Sequence, residues 1–207
     1  MPKDGSITRN RIMDEAQTLI IQQGYAATSI ESIIANAEIT KGSFFYHFKG
    51  KGDLALQLVK RFADVDKKLL ADTLGRAEKL SQDPLQQLLI MMGLYEEMFE
   101  GFSEETPGCL FASYVYESNL MSDEIRAIIV DAVRSTTERI AAKLEEAKSI
   151  HPPRIAFDAR SVADLFTTSF EGAFVMARTL PEKDTMLDQL RHYRTHLRLL
   201  FGVEDTM

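Results

Sequence analysis

Apolar side chains recur along this chain with the period of an α-helix almost from end to end, which removes β-rich folds before any motif is considered. Ile12, Ala16, Leu19 and Ile20 share one helix face, and Ile30, Ile33, Ile34 and Ala37 share another. Leu54, Leu58, Phe62, Val65 and Leu69 keep a third stripe for about four turns, in a helix roughly 35 Å long. Gly24-Tyr25 closes the first helix, since glycine accepts the left-handed conformation of a C-terminal cap. Thr28, with Glu31 three residues on, reads as a capping box that opens the second helix. A third short helix opens at Thr40 and turns Phe44 and Phe48 inward. Ser81-Gln82-Asp83-Pro84 is a break, because proline fits a first helical turn but not a helix interior. Further helices are predicted over 85–99, 109–119, 123–148, 158–180 and 182–201. A loop over 101–108, Met121-Ser122-Asp123, His151-Pro152-Pro153 and Pro181 separate them. The expected fold is all-α with about nine helices: a three-helix head over 1–50 and a helical bundle over 51–207.

The 207 residues, 45% apolar and 27% charged, suit a folded protein with a sizeable core rather than a disordered one. No apolar run approaches the roughly 18 residues of a membrane helix. The start, Met1-Pro2-Lys3-Asp4-Gly5-Ser6, lacks the apolar centre of a secretory signal. A single cysteine suits a reducing compartment. The expectation is a cytoplasmic protein without a membrane partner. A net charge of −7 argues against nucleic acid for the chain as a whole. Its distribution argues the other way. Residues 1–60 carry seven Lys/Arg against six Asp/Glu, whereas the rest carries 17 against 25.

Three short helices, the last two joined by a tight turn at 36–39, fit a helix-turn-helix. Its second helix must enter a major groove about 12 Å wide, so it needs an apolar inner face and short or polar residues outside. Thr40, Lys41, Gly42, Ser43, Tyr46 and His47 supply that outer face. Gly42 permits close backbone approach, and the hydroxyls of Thr40 and Ser43 stand where the helix dipole favours phosphate. Lys49 and Lys51 follow, placed to neutralise phosphates, although Lys49 also reads as a solvated charge.

On these residues the chain resembles the DNA-binding domain of the tetracycline-repressor (TetR) family. The likeness runs without a gap over 8–54, through Thr8-Arg9-Asn10-Arg11-Ile12, Gly24-Tyr25-Ala26-Ala27-Thr28-Ser29-Ile30, Ile39-Thr40-Lys41-Gly42-Ser43-Phe44-Phe45-Tyr46-His47-Phe48 and Lys51. It covers about a quarter of the chain. The resemblance implies a homodimeric regulator, usually a repressor, that a small effector releases from a double-stranded operator. Carried over, it implies base contacts from Lys41, Ser43 and Thr40, and phosphate contacts from Ser29, Tyr46, His47 and Lys51. Three residues depart from the family pattern. Glu38 replaces the usual turn glycine, at a cost on the order of 1 kcal/mol if left-handed. Glu31 stands where a basic residue is frequent, and Phe45 lacks the phenol of the usual tyrosine. Phe45 divides between packing and a surface against the DNA sugars.

Beyond the head, 158–180 is apolar around most of its circumference, with Val162, Leu165, Phe166, Phe170, Ala173, Phe174, Val175 and Met176. Such a helix must be buried on more than one side, either as a central core helix or against both its own domain and a second copy. Met91, Met92, Met98, Phe99, Phe102, Phe111, Tyr114 and Tyr116 suit either core filling or a chamber for an apolar or aromatic effector. The effector candidates are Met98, Phe102, Cys109, Phe111, Tyr114, Phe166, Phe170 and Phe174. Cys109, at a predicted helix start in a segment similar to one in an electrophile-sensing branch of the family, is either inert or a thiol switch. Glu171 is open between an effector contact and a bundle partner. His192 and His196 are spaced to share a metal, but Arg191, Arg194 and Arg198 crowd them and no third ligand is evident, so no metal or cofactor is expected.

An enzyme finds little support. The chain lacks Glu-x-x-His pairs for a di-iron bundle, a phosphate-cradling glycine loop, a nucleophile elbow and zinc spacing. A protein-interaction module whose helix-turn-helix binds no DNA is the other alternative, made conceivable by Glu31 and Glu38.

Overall fold

The computed structural model describes residues 5–100, 108–180 and 185–203, and their regular structure is entirely helical. The helices are α1 (Gly5–Gln23), α2 (Ile30–Asn36), α3 (Lys41–His47), α4 (Lys51–Leu80), α5 (Pro84–Glu100), α6 (Leu110–Val115), α7 (Asp123–Ile150), α8 (Ala159–Thr179) and α9 (Thr185–Phe201). A 3-10 turn, Ser118–Leu120, precedes α7. The chain divides into two compact units, one of 1–65 with 107–130 and one of 66–106 with 131–207.

In the first unit α1 packs against α2 and α6, and α2 against α3. Most of the expected stripes form its core: Ile12, Ala16, Ile20, Ile33, Phe44, Phe48, Leu54 and Leu58 are all buried, whereas Phe62 is half-buried and Val65, expected on the same stripe, is 60% exposed. Gly24 closes α1 at φ +89°, its N–H donating to Ile20 O at 2.9 Å. The α2 cap differs from the predicted one. Ser29 is the N-cap: its Oγ accepts the Ser32 N–H at 2.9 Å, and Ser32 Oγ accepts the Ser29 N–H at 3.1 Å. Thr28 is buried instead, and its hydroxyl donates to Gly24 O at 2.8 Å. Glu31 lies exposed in the first turn of α2, where its charge suits the helix dipole.

Two helices differ in length from their sequence signal. α4 runs for 30 residues, about 45 Å, because Leu70, Leu74 and Ala77 carry the buried stripe past Leu69. α6 stops at Val115 rather than near 119, since Glu117 leaves helical geometry at φ −109° and ψ 41°. The loop predicted over 101–108 lies outside the described residues apart from Gly108, as does the break at Pro181.

In the second unit α9 packs against α5 and α8. Leu88, Met91, Met92, Ile140, Leu144, Ala163, Leu190 and Leu197 belong to one buried cluster. Tyr193 donates its phenol to Val162 O at 3.0 Å, and Asp158 caps α8 by accepting the Ser161 N–H at 2.7 Å. α8 is not enclosed all round by this chain. Val162, Phe166 and Ala173 are buried, but Leu165, Val175 and Met176 remain 39%, 45% and 45% exposed.

Candidate nucleic-acid interface

The residues predicted to meet DNA stand on the outer side of α3 because its inner side is anchored by two phenylalanines. Phe44 and Phe48 lie in the core, with ring centroids 5.8 Å apart. Thr40, Lys41, Gly42, Phe45 and Tyr46 are exposed, Tyr46 most of all at 82%, while Ser43 and His47 are half-buried. Tyr46 and His47 meet edge to face at 4.9 Å. Thr40 is the N-cap, its Oγ1 accepting the Ser43 N–H at 3.2 Å. That bond uses an acceptor lone pair and leaves the hydroxyl proton available to an acceptor. Ser29 caps α2 in the same sense and keeps its own proton. Glu38 enters α3 at φ +50°, the one non-glycine with positive φ among the described residues.

Lys51 already has partners within the chain. Its Nζ donates to Ala26 O at 3.3 Å and lies 4.2 Å from the centre of the Tyr25 ring. Burial lowers the affinity of this amine for its proton, and the nearby Glu117 charge partly opposes that shift. Lys49 engages through its backbone, its N–H donating to Asp53 Oδ2 at 2.9 Å at the head of α4.

The effector candidates fall into both units. Met98, Phe170 and Phe174 pack around the second unit's core, where Phe166 is buried. Phe166 and Phe170 are 4.8 Å apart. Tyr95, which the sequence reading passed over, is central to this cluster, 5.4 Å from Phe166 and 5.6 Å from Phe170. Its position one turn after Met91 and one before Phe99 was the available signal. Burial pushes the Tyr95 phenol well above its ordinary pKa, and the Thr73 hydroxyl bonds to it. Asp66 adds a carboxyl that burial raises above its usual range. Cys109, Phe111 and Tyr114 belong to the first unit instead. Phe111 lies 4.8 Å from Phe62, and Tyr114 lies 5.1 Å from Tyr25. Phe102 is outside the described residues.

Residues 12–58 match the family described as bacterial regulatory proteins of the tetR family. Residues 84–192, more than half of the chain, match the C-terminal domain described as transcriptional regulator LmrA/YxaF-like. The chain belongs to the TetR family.

This TetR-family protein is a DNA-binding transcriptional regulator and not an enzyme. It is 24% identical over 195 residues to the transcriptional regulator AcuR of Cereibacter sphaeroides, covering 93% of this chain and 86% of that one. It is 23% identical over 167 residues to the HTH-type transcriptional repressor DhaR of a Mycobacterium species, covering 81% and 80%. A TetR-family regulator from Agrobacterium tumefaciens superposes with a TM-score of 0.77 at 25% identity, over 93% of this chain and 98% of that one. The reduced form of E. coli NemR shares the fold, with a TM-score of 0.71 at 18% identity over 95% and 99%.

Membership in the family removes the reading as a helical module without DNA. The thiol-switch alternative is not favoured either, since Cys109 is buried, only 8% exposed. Among the described residues no helix is long and apolar enough to cross a membrane.

Proposed function

We propose that this regulator represses transcription as a cytoplasmic homodimer and leaves its operator when a small apolar or aromatic effector binds. Residues 1–50 serve as the DNA-binding domain and 51–207 as the effector-binding and dimerisation domain. Lys41, Ser43 and Thr40 read base edges, while Ser29, Tyr46, His47 and Lys51 meet phosphates. Gly42 and Phe45 make the close approach to the duplex. Two heads then meet half-sites about 34 Å apart, or a multiple of that. Repressors among the relatives, DhaR and NemR, support the sign of the regulation.

The observation that carries the reading is the exposed row on α3 above a buried pair of phenylalanines. An outward apolar row on α8 supports the second copy, and the aromatic cluster around Tyr95 supports an effector with an apolar body. The test is a salt series on a duplex that the protein enriches from host genomic fragments. Affinity should fall steeply with salt, and the log–log slope, divided by about 0.9, counts the phosphates engaged. Lys41→Ala should relax base preference as well as affinity. A slope near zero, or sequence-independent loss in Lys41→Ala, would overturn the assignment.

A further inference from the structure

We propose that Glu117 is a positioning residue for operator binding, holding the loop between α1 and α2 through Ala26 and Lys51. The proposal rests on operator binding by the head and adds to it a residue from outside the helix-turn-helix.

Glu117 reaches Ala26 from 91 residues away in sequence, its Oε2 accepting the Ala26 N–H at 2.6 Å. Its other oxygen occupies the space beside Gly24 where a Cβ would collide with it. Gly24 therefore meets two requirements at once: a left-handed backbone and room for this carboxylate. Lys51 grips the same residue from the other side, donating to Ala26 O. Ala26 is thus held at both of its polar backbone atoms by side chains from distant segments. The ammonium rests on the Tyr25 ring, and that ring rests on Tyr114, three residues before Glu117. The Glu117 charge favours the ammonium form of Lys51 in this half-buried place.

The loop so held leads directly into Ser29, which caps α2 and is assigned a phosphate. Shifting Ala26 shifts the start of the helix-turn-helix, and it releases Lys51 from its acceptor. Charge-assisted bonds of this kind are roughly twice as strong as neutral ones, though partial exposure reduces their worth here.

The experiment measures affinity and salt slope on a duplex enriched by the wild-type protein from a random pool, at a temperature well below each variant's melting midpoint. Glu117→Ala should weaken binding by about tenfold. Glu117→Asp, which keeps the charge but is one methylene too short for Ala26, should weaken it to a similar extent and serves if the alanine variant does not fold. Glu117→Gln keeps an oxygen acceptor at the same place and should recover most of the affinity. Lys51→Ala and Glu117→Ala together should lose less than the product of their separate losses, because part of each loss acts through Ala26, whatever Lys51 also contributes at a phosphate. Unchanged affinity in Glu117→Ala and Glu117→Asp would overturn the proposal, as would multiplicative losses in the double variant. A wild type that enriches no duplex would bring down the operator assignment and this proposal with it.

Discussion

At Gly42 an added methyl group would find only Thr40 Oγ1, at an ordinary 3.9 Å. Nothing inside the chain therefore requires glycine there, and glycine disfavours a helix by up to about 1 kcal/mol relative to alanine. What the missing side chain leaves open is the space outside α3, where a duplex backbone would come close. Gly42→Ala should hold or raise the melting temperature, by at most about 2–4 °C, and still weaken operator binding by on the order of tenfold, as a close approach requires. Calorimetry and fluorescence anisotropy separate the two effects. Retained affinity would show that the approach is not close. Phe44 and Phe48 were readable as core from their spacing alone, because an apolar pair one turn apart on a short polar helix has one place to go. Tyr95 was not, because a tyrosine among methionines does not reveal which neighbours come from α8. Lys51 was also unreadable in part. Its charge pointed to phosphate, whereas its contacts with Ala26 and Tyr25 come from folding the loop beneath it.

α2 has seven residues, too few to be stable without its ends being satisfied. Whether Thr28 or Ser29 would cap it could not be decided from two adjacent hydroxyls. The outcome depends on Gly24, whose carbonyl takes the Thr28 proton and draws that side chain inward. The cap then passes to Ser29, and Ser32 in place of Glu31 completes the reciprocal pair. Ser29→Ala should cost about 1 kcal/mol of stability. Its effect on DNA should exceed that of Ser32→Ala, since only Ser29 is assigned a phosphate. Comparing the two variants by thermal melting and by affinity at fixed salt checks the distinction, and equal losses of affinity would confine Ser29 to capping. The element order was largely readable, because glycine and proline stand at most of the breaks. The lengths of α4 and α6 were not: α4 continues on a stripe that drifts around the helix, and α6 ends where Glu117 turns toward Ala26.

An acidic body attached to a slightly basic head keeps non-specific attraction to DNA low. In the proposed dimer, pairing is where recognition and the exposed apolar surface of α8 meet. Inward and outward apolar residues on α8 look alike in composition, which is why the sequence did not say which of them the chain's own core takes. The structure separates them: Phe166 and Ala173 point into the chain's own core, while Leu165, Gly172, Val175 and Met176 form an outward row. A Cβ at Gly172 would touch nothing within 4 Å, so the row has room for another helix. In a lone chain, Val175→Glu changes a residue already 45% exposed and should alter stability by less than about 0.5 kcal/mol. Across a twofold axis the same change buries two carboxylates near each other, which repel and lack partners. Sedimentation at micromolar concentration should then show a monomer. Operator affinity should drop by on the order of a hundredfold or more, because the second half-site no longer binds as part of the same molecule. The total of phosphates engaged, read from the salt slope, should fall to about half rather than vanish, while the contacts of each head stay the same. A Val175→Glu protein that sediments as a dimer and keeps its full slope would place the pairing surface elsewhere on the body, and the outward row on α8 would need a different occupant.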